Sequence, residues 1–194
     1  VTVEQVGTLA FQVAMGIGLA ACAGLRAFLP LLVVSVAGKL GWVPLSDRFE
    51  WLASWPAIVV FGVAVVTELL SDKIPLIDNL LDTVQVWVKP IAGALLAVAV
   101  LTELEPLPAT ALGIMAGASS AGIVHIVKAK VRLLSSALTT GLGNPILSVI
   151  EDAVALVGSI LSVVVPFLIV ALLALAIVGV VFAVRRFTPR TTRS

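Results

Sequence analysis

The chain has 194 residues, 60% of them hydrophobic and 12% charged, with a net charge of +1 and a mean hydropathy of +1.20. Soluble domains carry about 25% charged residues, so this composition excludes an ordinary soluble enzyme, a disordered tail and a disulfide-stapled secreted module. Twelve Lys+Arg against eleven Asp+Glu leave no basic surplus for nucleic acid. The class that remains is an all-α, polytopic transmembrane helical bundle of about six hydrophobic segments, some of them broken or re-entrant. It reads as a single domain over residues 1–194, with a basic tail from residue 185.

A membrane span needs about 20 apolar residues. The first apolar stretch, residues 7–38, would be about 48 Å long as one straight helix. It contains Gly24, Arg26 and Pro30, so a tilted or broken helix is expected. Its start lacks a basic n-region, and the stretch is expected to stay in the mature protein. Cys22 is the sole cysteine. It allows no internal disulfide or thiolate cluster and reads as a small packing residue.

The connector 39–55 holds Trp42, Trp51 and Trp55 and is expected at a headgroup interface, with a short amphipathic helix starting at Phe49-Glu50-Trp51. Residues 56–70 form the second span and residues 84–101 the third, separated by the polar segment 68–82. After Glu103 and Glu105, Pro106 and Pro108 open a fourth span, 109–127, which ends on Lys128, Lys130 and Arg132. A Ser/Thr/Gly linker, 135–144, follows. The last apolar run, 145–184, would be about 58 Å long as one helix, so it must be two segments, with a break expected near Pro166. Basic residues in short loops set orientation. Six crossings then place both termini and the 68–82 segment in the cytoplasm, and the Trp connector and Glu103–Glu105 outside, most simply in a bacterial inner membrane.

The two halves, 1–105 and 106–185, echo each other weakly. Ala23-Gly24-Leu25 resembles Ala121-Gly122-Ile123, and Leu80–Val84 resembles Val149–Val154. By the crossing count the first and fourth spans run in opposite directions, the pattern of an inverted repeat. Gly16, Ala20 and Gly24 form a small-xxx-small ridge, as do Gly113, Gly117 and Ala121, and both suit close helix packing.

Ionisable residues inside apolar runs need a partner, water or a ligand. Glu68/Asp72 and Asp78/Asp82 are i,i+4 pairs flanking Ile74-Pro75. They suit a hydrated cation or a proton path, or else a solvated loop with helix caps. Arg26 lies deep in the first stretch and calls for Glu68 or Glu151 as a structural partner, or for an anionic ligand. Glu151 and Asp152 are adjacent, so they cannot share one helix face. His125, Lys128 and Arg132 at i, i+3, i+7 share a face and suit either an interfacial anchor or a phosphate headgroup. His125 alone makes no metal site, and no Walker loop, dinucleotide fingerprint, zinc-protease pair or nucleophile elbow is present. The chain reads as a non-enzyme that needs no cofactor.

Two runs carry a further signal: Gly24-Leu25-Arg26-Ala27-Phe28-Leu29-Pro30, and Glu68-x-x-x-Asp72-Lys73-Ile74-Pro75-x-x-Asp78-x-x-x-Asp82 followed by Lys89-Pro90-Ile91-Ala92-Gly93-Ala94. They resemble a family of small bacterial and plastid integral-membrane proteins known as a domain of unknown function (DUF4126). The resemblance covers nearly the whole chain and implies one compact membrane domain, with no established activity.

These readings converge on a small, homo-oligomeric membrane transporter or channel. Arg26, Glu68, Asp72, Asp78, Asp82, Glu151 and Asp152 would bind or relay an ion or small charged solute. Two alternatives stand beside it. One is a lipid-handling protein that uses Arg26 and the His125–Arg132 face on phosphate headgroups. The other is a scaffold or assembly factor whose charges form only salt bridges.

Overall fold

Each of the six apolar segments is helical in the computed structural model of the chain, which describes residues 2–71, 75–140 and 142–187, with side chains described outside 75–82 and 180–187. The helices are α1 (Val3–Leu25), α2 (Phe28–Lys39), α3 (Trp55–Ser71), α4 (Pro75–Val100), α5 (Pro106–Leu112), α6 (Ser119–Thr139), α7 (Asn144–Val164) and α8 (Pro166–Phe187). A π-helical stretch, Gly113–Ala118, joins α5 to α6, and a short 3-10 helix, Asp47–Ala53, lies in the Trp connector. Among the described residues there is no strand. Among the described residues, four helical units are long and apolar enough to cross a membrane, and a fifth is added if α3 and the 3-10 helix bent 63° from it count as one span.

The first apolar stretch breaks at Arg26, whose φ of −135° and ψ of 115° are extended. Pro30 is not at the break. It occupies the first turn of α2, where a missing N–H leaves no helical bond unmade. After the break the chain turns back. Gln12 of α1 donates from Nε2 to Thr102 Oγ1 at 2.7 Å and accepts from the Glu103 amide at 3.2 Å, which fixes the start of the packed part of α1 at the C-terminal end of α4. Past α2, the Ser46 amide donates to the Ala99 carbonyl at 2.9 Å, at that same end. α1 therefore enters from the connector end and α2 returns to it. Met15, Leu19, Val34, Ala37, Val43, Leu96 and Val100 form one core between them and α4.

This re-entrant pair changes the direction of everything upstream of α3. Six full crossings put the N-terminus opposite the Glu103–Glu105 turn; here both lie at the connector end. It also removes the antiparallel relation that an inverted repeat requires. Gly16 meets Ala97 and Gly93 meets Ala20, so α1 and α4 are antiparallel. Gly113 meets Val98 and Gly117 meets Gly93, so α6 is antiparallel to α4 as well. α1 and α6 therefore run parallel. α7 passes Arg26 at Ser148 and Gly18 at Ser162, so it runs with α4. The segments that echo each other in sequence point the same way.

Both small-residue ridges pack as their spacing implies. A Cβ on Gly24 would meet the Ala121 carbonyl and Val124, and one on Gly117 would meet the Gly93 carbonyl, with Ala97 Cβ at 2.8 Å. Such approaches let helix backbones touch. Cys22 is buried against Gly158 as a small core residue. The final apolar run breaks at Val165, beside the expected Pro166. α8 packs through Pro166 and Ile169, with Leu173 half-buried, and is exposed from Ala174 to Gly179. Trp42, Trp51 and Trp55 are all exposed at the connector end, where an interfacial belt would put them.

Candidate functional site

A helix that stops inside a bundle leaves unsatisfied carbonyls at one end and unsatisfied amides at the next start, and lipid cannot satisfy either. The break between α1 and α2 lies about 20 Å in from the connector end, taking ~1.5 Å per residue from Gln12 to Leu25. Charged side chains from other helices meet both ends. Lys128 of α6 donates from Nζ to the Leu25 carbonyl at 3.0 Å. The Glu68 carboxylate of α3 accepts the Ala27 amide at 3.0 Å and the Phe28 amide at 3.3 Å. A cation thus sits at a helix C-terminus and an anion at a helix N-terminus, each favoured by the local dipole. Gln85 of α4 donates to Glu68 Oε1 at 3.4 Å.

Arg26 stands in the gap and is 1% exposed. Its Nε lies 2.5 Å from Asp152 Oδ1, and its Nη2 donates to Ser148 Oγ at 2.8 Å. The partner is therefore Asp152 rather than Glu68 or Glu151. Glu68 is held instead by the α2 amides. Glu151 is taken by α6: Lys128 Nζ and Arg132 Nη2 each lie 3.0 Å from its Oε2, and Arg132 Nε donates to Oε1 at 3.3 Å. Adjacent carboxylates on α7 thus serve two different neighbours, as the ~100° between successive helical positions requires. Lys89 of α4 is fully buried, with its Nζ 3.2 Å from His125 Nδ1.

Of the expected site residues, the structure gathers Arg26, Glu68, Glu151 and Asp152 around the break, and brings His125, Lys128 and Arg132 into the same cluster. Asp72 lies outside the described residues, as do the side chains of Asp78 and Asp82; their backbone belongs to the first two turns of α4. Sequence reasoning missed Lys89, Gln85 and Ser148. Lys89 had a usable signal, since it interrupts an apolar run much as Arg26 does. The break also borders a pocket of about 200 Å³ lined by Val86, His125, Lys128, Ala129 and Arg132. A larger cavity of about 770 Å³ lies elsewhere, at the connector end between α4 and α5, and only Asp47 and Arg48 of its lining carry charge. Among the described residues no group of three His, Cys, Asp or Glu side chains is placed to hold a metal ion.

Apolar helices of spanning length, with charges gathered within the bundle at one helix break, define an integral membrane protein of the helical-bundle class. The chain belongs to the family described as Domain of unknown function (DUF4126), whose model matches residues 13–186. No curated protein and no solved structure matches the chain.

Proposed function

We propose that this protein is a small membrane transporter or channel for an ion or small charged solute, with its site at the α1–α2 break. The observation that carries the reading is the break itself: both half-helix ends lie inside the bundle and are met by Lys128 and Glu68. Discontinuous helices of this kind build ion and substrate sites, because their exposed amides, carbonyls and attendant charges are ready ligands. Exchange of Lys128, Glu68 or the Arg26–Asp152 pair for a solute would loosen the α1–α2 hairpin and let it move against α3 and α6. The reading includes no catalysis and no cofactor, and it includes a homo-oligomer in which lipid-facing apolar surfaces such as that of α8 meet between copies. Under the positive-inside rule the end bearing Lys128, Lys130 and Arg132 faces the cytoplasm. The N-terminus and the Trp connector then face outward, the reverse of the sequence expectation for the N-terminus.

Proteoliposomes carrying proton, potassium and chloride gradients test this. The wild type is expected to dissipate at least one gradient, and Glu68→Gln to slow it at least about tenfold while remaining folded. No flux above empty liposomes, or unchanged flux in Glu68→Gln, contradicts it. A second reading, lipid handling, is favoured by the sideways opening of the His125–Lys128–Arg132 pocket; translocation of a fluorescent lipid that is lost in Arg26→Ala would support it.

A further inference from the structure

Of the pocket beside the break, the transport reading uses only Lys128. α4 and α6 touch where Gly93 meets Ala121, and the pocket of about 200 Å³ lies further toward the basic end, between Val86 of α4 and the His125–Arg132 face of α6. Its outer walls, Val86 and Ala129, are exposed, so it opens sideways from the bundle. Its floor is Lys128, Arg132 and His125. Glu151 holds both cations at 3.0 Å, which fixes their long side chains before any ligand arrives and so removes much of the ordering cost of binding. Lys89 Nζ, 3.2 Å from His125 Nδ1, holds the imidazole ring from the α4 side.

We propose that this pocket binds a phosphate oxyanion, supplied either as free phosphate or as a phospholipid headgroup. Arg and Lys donors make charge-assisted hydrogen bonds to such an anion. Basic pockets between membrane helices recognise lipid phosphates in this way. Apolar walls beside a lateral opening suit a headgroup whose chains stay in the bilayer. The proposal does not rest on transport, because binding is measured at equilibrium without flux.

The test titrates the purified full chain in detergent with inorganic phosphate and, in a second arm, with a short-chain phosphatidylglycerol. At least one arm should saturate, and weaken with added salt. Binding in both arms assigns a phosphate group as such, and binding in the lipid arm alone assigns a headgroup. Affinity should fall at least about tenfold in Arg132→Gln. Because Arg132 also holds Glu151, Ala129→Trp is the second variant: it fills the mouth from an exposed position, leaves every ion pair in place, and should weaken binding as much with an unchanged Tm. Lys130→Gln, outside the pocket lining, should change affinity less than about threefold. No saturation in either arm, or undiminished binding in Ala129→Trp, overturns the proposal.

Discussion

Toward the connector end, α1, α4 and α6 with its preceding π-helical stretch meet through Gly16, Ala20, Gly93, Ala97, Gly113 and Gly117, so closely that a methyl added at Gly113 or Gly117 would press on backbone atoms of α4. A few turns further in, the same three helices meet through Lys89, His125, Lys128 and Arg132, joined by Glu68 from α3 and by Glu151 and Asp152 from α7. The contrast has one cause. Where α1 is continuous, its backbone groups bond within the helix, and the remaining requirement is close packing. Where α1 ends inside the bundle, its orphan carbonyls and the orphan amides of α2 need ionic partners. Those partners in turn need counter-charges. Among the described residues, the buried charges, Arg26, Glu68, Lys89, Lys128 and Glu151, are gathered where the backbone is interrupted.

The strongest way to break this comparison is to remove a charge at the interruption. Glu68→Ala leaves the Ala27 and Phe28 amides without their acceptor and, at about 1–3 kcal/mol for each orphaned donor, should cost about 2–6 kcal/mol of unfolding free energy. Glu68→Gln keeps one acceptor oxygen and should cost clearly less. Equal losses, read by unfolding in mixed micelles, would mean that the carboxylate is not valued as a helix cap. On the packed side, Gly117→Ala presses a methyl against the Gly93 carbonyl and Ala97 and should cost about 1–3 kcal/mol. The smallest effect sharpens the contrast: Gly122, on the same helical rod, has nothing within 4 Å of an added Cβ. Gly122→Ala should therefore be neutral or gain up to about 1 kcal/mol.

Much of this arrangement was legible in the sequence, and the rest failed for definable reasons. The ridges of small residues, the break beside Pro166, the interfacial tryptophans and the concentration of buried charge on Arg26, Glu68 and Glu151/Asp152 all follow from composition and spacing. Direction does not. Hydropathy reports that residues 7–38 are apolar, and a helix that crosses has the same composition as two that enter and return. Counting that stretch as one crossing placed the N-terminus opposite the Glu103–Glu105 turn, whereas both lie at the connector end, and suggested an inverted repeat between segments that run parallel. Lys89 escaped notice because the third span was begun at residue 84, which put the lysine and Pro90 near a membrane boundary. α4 starts at Pro75 instead, so Lys89 lies near its middle. Pairing across helices was equally hidden. Nothing local to Arg26 distinguishes Asp152 from Glu151, and the choice is made by Lys128 and Arg132 occupying the latter.

The re-entrant first hairpin is the feature from which the break, its charges and the relative direction of α1 and α6 all follow, and it has a direct test. Cys22, the sole cysteine, is replaced by Ala. Single cysteines then go to Glu4, Glu103 and Lys130, all exposed positions, and sealed vesicles are labelled with a membrane-impermeant maleimide. Glu4→Cys and Glu103→Cys should label from the same side, and Lys130→Cys from the other. Labelling of Glu4→Cys from the side that labels Lys130→Cys would contradict the hairpin and restore a first helix that crosses the membrane.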